Sequence, residues 1–230
     1  MSSRQVSIEA LLNRADTQLR GIAGEYEKSL HAKAIDPSLR IDIKNMCENL
    51  RSGLDYIAAD IRETHCPRAA AGKRFYFPIL PDQQTFDKKV DEWFPDLRTS
   101  APGVVTLLSA VQPFQPGNRW LGDFNQVNNE NKHGDLIEQT RVEIQQTKVT
   151  GQAGGQVSWT SGVRFGQGVS IMGVPIDPNT QLPVPHPSVK VERTTWVDFH
   201  FKGINVSALG LLRAALAGVR RIEGSIRPLL

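Results

Sequence analysis

The hydrophobic period of this chain changes twice, and that limits what it can fold into. Up to about residue 133 the apolar residues recur in steps of three and four. From about 137 to 203 they alternate, and from 204 the first pattern returns. A period of 3.6 builds helices that share a core along one stripe, whereas a period of 2 builds strands with one covered face. The order predicts an α+β chain: a helical bundle over 1–136, a small antiparallel β insertion over 137–203, and a C-terminal helix over 204–230 returning to the bundle.

Within the first part, Ile8, Leu11, Leu12, Ala15, Leu19, Ile22, Tyr26 and Leu30 mark one face of a helix over about 4–34. Asp36-Pro37 restarts the chain as a cap and first turn. The next stripe, Leu39, Ile43, Cys47 (or Met46), Leu50, Leu54, Ile57 and Ile61, has steps near 3.5 residues, so the two helices are expected to pair as an antiparallel hairpin. Pro67, Gly72, Pro78 and Pro81 then break the pattern around an extended piece at 74–79. Shorter helices are expected over about 83–93, 101–111 and 118–132, giving five or six in all. In the β part, Gly151 to Gly155 reads as a hairpin turn. Val157, Trp159, Val163 and Phe165 alternate beyond it, Val169 and Ile171 suggest a short strand, and Val189 to Phe201 another. Five prolines between 174 and 188 predict an exposed extended loop. Asn205 is the expected cap of the last helix.

Composition removes several classes. The chain has 230 residues, 40% of them hydrophobic, with nine Phe, four Trp and three Tyr; that is enough for a sizeable core and too apolar for a disordered chain. No apolar run reaches the ~18–20 residues of a membrane span, and the first residues lack the apolar stretch of a secretory signal. The expectation is a cytoplasmic protein without a membrane partner, with Cys47 and Cys66 as reduced thiols. The five histidines, at 31, 65, 133, 186 and 200, form no i, i+4 pair. Neither a phosphate-loop motif nor a G-x-S-x-G elbow occurs, so no metal and no cofactor is expected. His65 next to Cys66 reads as structural. A net charge of +3 permits nucleic acid without pointing to it.

Two polar clusters could carry chemistry. Asn128-Asn129-Glu130-Asn131-Lys132-His133 ends an apolar helical face, and Lys132 and His133 set a fixed cation beside a titratable base, with Asn129 one turn back. That grouping suits a phosphodiester. On the second helix Arg51 and Asp55 stand at i and i+4, flanking Leu50 and Leu54. Gly53 between them suggests the close approach of another helix. Were that the helix ending at His133, then Arg51, Asp55, Lys132 and His133 would form one charged constellation.

The order Leu50-Arg51-Ser52-x-Leu54-Asp55, Phe77-Pro78-Ile79, Gln112-Pro113-Phe114 and Asn129-x-Asn131-Lys132-His133, closed by an apolar helix, resembles a family of uncharacterised bacterial helical proteins that are HEPN-like. The resemblance covers about residues 40–135 and the final helix. It implies a helical bundle, a homodimer or other homo-oligomer formed through it, and a defence or toxin-type role as a metal-independent endoribonuclease or an RNA-binding relative. The family's ribonuclease signature is Arg, four to six residues, then His. No Arg stands at that spacing before His133, and the family's Asp and Arg around Lys-His are Asn131 and Gly134 here. Arg193 and His200 match the spacing, but on a strand they would face opposite sides. The catalytic reading therefore takes His133 as base, with Arg51 and Lys132 on the phosphorane charge and Asp55 and Asn129 in support. The alternative is a non-enzymatic oligomeric interaction module, with a protein partner at the β insertion and Trp159, Trp196 and Phe199 as its aromatic anchors. A small-ligand sensor is the third reading.

Overall fold

A computed structural model describes residues 3–29, 37–69, 72–133 and 139–230. The fold is α+β, with a C-terminal helix after the strands. The chain divides into two compact units, residues 1–140 with 200–230, and residues 141–199.

The first unit is helical. Helix α1 (Ser3–Ser29) and helix α2 (Pro37–His65) lie antiparallel along most of their length. Arg4 at the start of α1 binds Asp60 (2.7 Å) and Glu63 (2.6 Å) near the end of α2, and Asn49 Nδ2 donates to Gln18 Oε1 (2.9 Å) near the middle. Between them Ile8, Leu12, Ala15, Ile22 and Tyr26 meet Leu39, Ile43, Met46, Cys47, Leu50, Leu54 and Ile57, all buried. That seam is the stripe expected from the sequence. Asp36, the expected cap of α2, lies outside the described residues.

Helix α3 (Gln83–Trp93) starts where Asp82 accepts from Thr85 N–H (2.8 Å), which holds the Asp82 carboxyl below its usual range. Pro95 is followed by a single turn, α4 (Leu97–Ser100), that the period does not announce. Helices α5 (Pro102–Ala110) and α6 (Arg119–His133) complete this part. The last helix, α7 (Ala208–Ile226), packs on α1, α2, α5 and α6, and ends in a 3₁₀ turn, Arg227–Leu229. Its cap is Ser207, whose hydroxyl accepts from Gly210 N–H (3.1 Å). Asn205, the expected cap, instead sits in the preceding turn at φ +51°.

In the second unit, strand β1 (Gln139–Gly151) pairs antiparallel with β2 (Gln156–Thr160), from Gln146 opposite Thr160 to Thr150 opposite Gln156. Gly154 takes φ +81° in the connecting turn. Strand β6 (Val189–Phe201) lies on the other side of β1. Its last residues leave this unit and pair with β7 (Val206–Ser207), which leads into α7. A second, three-stranded sheet runs β3 (Ser170–Ile171), β4 (Val174–Asp177), β5 (Leu182–Pro183).

That second sheet corrects the expectation of an exposed, extended proline-rich loop over 174–188. Pro175 stands in its central strand, which proline normally avoids for want of an N–H. Here the ladder asks nothing of that nitrogen: the Pro175 carbonyl accepts from Val184 N–H (2.9 Å), and Ile176 N–H donates to Val169 O (2.9 Å). Val174 and Ile176 are buried, and Ile176 packs with Val149 and Trp159 in the apolar interior of the unit. Trp159 packs edge-on to Phe165 (5.1 Å), and Phe199 is buried as well, so neither is an exposed anchor; the Trp196 side chain lies outside the described residues.

Gly53 is buried, yet among the described residues nothing lies within 4 Å of the place a Cβ would take, so the close approach expected there is not seen at that distance. A close approach does occur at Gly218 on α7, where the Trp120 ring of α6 occupies the place a Cβ would take. Gly53→Ala is expected to stabilise the protein by ~0.5–1 kcal/mol, since alanine loses less conformational freedom in a helix. Gly218→Ala is expected to destabilise it by ~1–3 kcal/mol through overpacking. Urea unfolding of the two variants checks both signs.

Candidate functional site

The prolines at 78 and 81 keep residues 73–80 out of a helix, and the segment crosses the helical unit as an extended strand without a neighbouring strand. Its backbone groups must then be satisfied by side chains. Asp55 Oδ1 accepts from Phe77 N–H (2.9 Å), and Arg51 Nη2 donates to Phe77 O (3.3 Å). Arg51 and Asp55 are themselves paired (Nε to Oδ2 3.2 Å, Nη2 to Oδ1 3.1 Å). One i, i+4 ion pair thus takes both hydrogen-bonding groups of one residue, as an adjacent strand would.

Gln112 holds the next stretch, taking one group from each residue beside Ile79. Fully buried after the last turn of α5, its Nε2 donates to Pro78 O (2.9 Å) and Leu108 O (2.8 Å), and its Oε1 accepts from Leu80 N–H (3.0 Å). Arg62, three turns beyond Arg51 on α2, donates to Lys73 O (3.3 Å) and lies over the Phe75 ring (4.4 Å). The segments Leu50–Asp55, Phe77–Ile79 and Gln112–Phe114 therefore meet because they are the two sides of one clamp.

Alternation along the clamped strand decides what faces out. Phe75 packs edge-on to Phe94 (6.1 Å) and Phe77 is buried, while Tyr76 between them is 47% exposed. Tyr76 meets Trp93, at the end of α3, edge-to-face (6.2 Å). These two rings, Ile79, Arg51, and Asn125 and Asn129 of α6 line a pocket of about 450 Å³. Arg51 Nη1 donates to Asn125 Oδ1 (3.3 Å), which fixes the amide so that its Nδ2 remains the donor. Lys89 stands over the Trp93 ring (5.3 Å) and binds Glu92 (2.8 Å). The Glu92 carboxyl is held below its usual range by that bond and then by the charges of Lys89, Lys73 and Lys88. Lys89 thus sets a cation against the pocket's aromatic wall.

Of the sequence-predicted site residues, the structure brings Arg51, Asp55 and Asn129 to one place. Helix α6 continues to Lys132 and His133, three and four residues beyond Asn129, but their side chains lie outside the described residues. Arg51 reaches α6 at Asn125, eight residues before His133, or about 12 Å along the helix. The pair Arg193 and His200 falls on one extended strand, seven residues or about 23 Å apart. Cys66 is buried, which pushes its thiol up to about 11, and His65 Nε2 lies 2.8 Å from Leu229 O; neither is poised as a nucleophile.

Tyr76, Trp93 and Asn125 were not singled out from the sequence. The signal that could have found them is Phe75-Tyr76-Phe77, since an extended apolar run must turn its middle ring outward. No protein-family model, curated protein or solved structure matches this chain.

Gln112→Ala would leave Pro78 O and Leu80 N–H unpaired in the interior. A loss of about 2–3 kcal/mol in chemical denaturation is expected; a loss under ~0.5 kcal/mol would mean that the segment does not depend on the clamp.

Proposed function

We propose that this protein binds single-stranded RNA, with one nucleotide held in the pocket between α2, the 73–80 segment and α6. The observation that carries this reading is the pairing of two accessible aromatic rings with fixed amide and guanidinium donors and the Lys89 cation. A stacking platform beside cations is how single strands are held without a partner strand. Asn125 and Asn129 supply hydrogen bonds to a base or ribose. The Arg51 guanidinium, already paired with Asp55 and Phe77 O, positions them and adds a polar floor to the pocket.

In the HEPN-like reading the same protein cleaves what it binds. His133 takes the proton of the ribose 2′-OH, and Lys132 beside it offsets charge on the phosphorane. Arg51 acts from across the pocket rather than at the scissile phosphate. The protein would then be a metal-independent endoribonuclease, working as a homo-oligomer formed through the bundle.

A fluorescein-labelled single-stranded RNA followed by anisotropy at low salt tests binding. Trp93→Ala and Tyr76→Ala are each expected to weaken it about 5- to 50-fold, the magnitude of one base stack. In gel assays His133→Ala is expected to abolish cleavage while leaving binding intact. Absence of saturable binding by the wild type sinks the whole reading; binding without cleavage sinks only the ribonuclease.

A second reading, a non-enzymatic interaction module, is favoured by a different observation. Val157, Val163, Met172, Val184 and Val191 of the β unit are exposed apolar side chains within one small unit.

A further inference from the structure

We propose that the β unit carries a binding site for a phosphate group, independent of the helical pocket and of the reading placed on it. The site is a pocket of about 230 Å³ whose lining includes Arg164 and Arg193 and not one carboxylate. Among the described residues neither arginine is ion-paired, although the chain as a whole has 24 acidic residues against 27 basic ones. Two guanidinium groups beside one cavity repel each other, and an oxyanion between them removes that repulsion. Guanidinium forks match the geometry of phosphate oxygens.

The surrounding atoms suit the same ligand. Thr160, Ser161, Thr180 and Asn179 bring hydroxyl and amide groups to the lining. Arg193 is held in place by Gln145, to whose Oε1 its Nη2 donates (2.5 Å). Ser161 N–H donates to Gln145 O (2.9 Å), so the strand end carrying the hydroxyls is fixed to the same residue.

Another part of the lining is fixed by an unusual residue, Gln181. Gln181 adopts φ +61°, in the left-handed region, and its side chain holds both backbone groups of Phe165: Oε1 accepts from the N–H (2.7 Å) and Nε2 donates to the O (3.1 Å). This ties the turn bearing Asn179 and Thr180 to the segment bearing Arg164. Asp177, the acid of that turn, accepts from Asn179 N–H (2.8 Å). The cavity, at about 230 Å³, has room for a phosphate and part of a group attached to it. The phosphate could be free or be the ester of a nucleoside.

The full-length protein, labelled with ¹⁵N, can be titrated with inorganic phosphate, adenosine 5′-monophosphate and adenosine while the arginine side-chain and Ser161 amide signals are followed. Saturable shifts at Arg164 and Arg193 with phosphate and with the monophosphate, and none with adenosine, are expected. Equal affinities assign free phosphate; tighter binding of the monophosphate assigns a phosphorylated nucleoside. Arg164→Gln and Arg193→Gln are each expected to weaken binding roughly tenfold or more, the effect of losing a charge-assisted hydrogen bond. Unchanged amide spectra elsewhere would show that both variants fold. Non-saturable shifts in the wild type, or equal affinity in the two variants, would overturn the proposal.

Discussion

The helical unit depends on one problem of backbone chemistry. A segment of eight residues, 73–80, with one proline inside it and another just after it, runs through the unit without a sheet, and buried backbone N–H and C=O groups left unpaired there would cost more than its side chains return. Arg51 with Asp55, and Gln112 alone, solve this by presenting a donor and an acceptor each, the first to both groups of Phe77 and the second to Pro78 O and Leu80 N–H on either side of Ile79. Their positions on α2 and at the end of α5 follow from that demand. So does the outward turn of Tyr76, because Phe75 and Phe77 take the two inward places on either side of it. The pocket is a consequence of how the strand is held.

This changes what the polar motifs mean. A paired Arg and Asp beside a histidine-bearing helix look like catalytic groups when only their order in the chain is known. In the fold they are also bonded to a backbone amide and its carbonyl, which accounts for the pair without any reaction. The same bonding makes the pocket rigid. Asn125 cannot flip without losing the Arg51 bond, so its donor is fixed before any ligand arrives, and a fixed donor discriminates among ligands where a rotating one does not.

The long-period information was legible in the sequence. The stripes of α1 and α2, the boundaries of α3 and α6 and the β character of 139–201 all rest on repeated apolar positions, and repetition survives the loss of any one residue. What was not legible depends on partners distant in the chain. Gly53 and Gly218 are both glycines inside helices, and only the position of Trp120 tells them apart. Pro175 lies in a central strand because the bonds on either side use its carbonyl and the next residue's nitrogen, a matter of register that composition does not carry. The exposure of Tyr76 could have been read from alternation, but its meeting with Trp93 could not.

Charge follows the same logic. A net +3 says little because many of the described cations of the helical unit face carboxylates: Arg4 on Asp60 and Glu63, Arg98 on Asp87 and Asp91, Arg227 on Glu9 and Glu223. Exposed pairs of this kind contribute little stability, yet each removes a cation from the field that a ligand would meet. The charge that remains effective is local. It lies where the charges of Lys89, Lys73 and Lys88 act on the one carboxylate of Glu92, beside Trp93, and where Arg164 and Arg193 line a cavity that no acid enters. Attraction for an anion depends on uncompensated charge within about a Debye length, ~8–10 Å at ordinary ionic strength. Each of these two places, in its own unit, is therefore a stronger statement about ligands than the total, which neither residue counts nor isoelectric point could resolve.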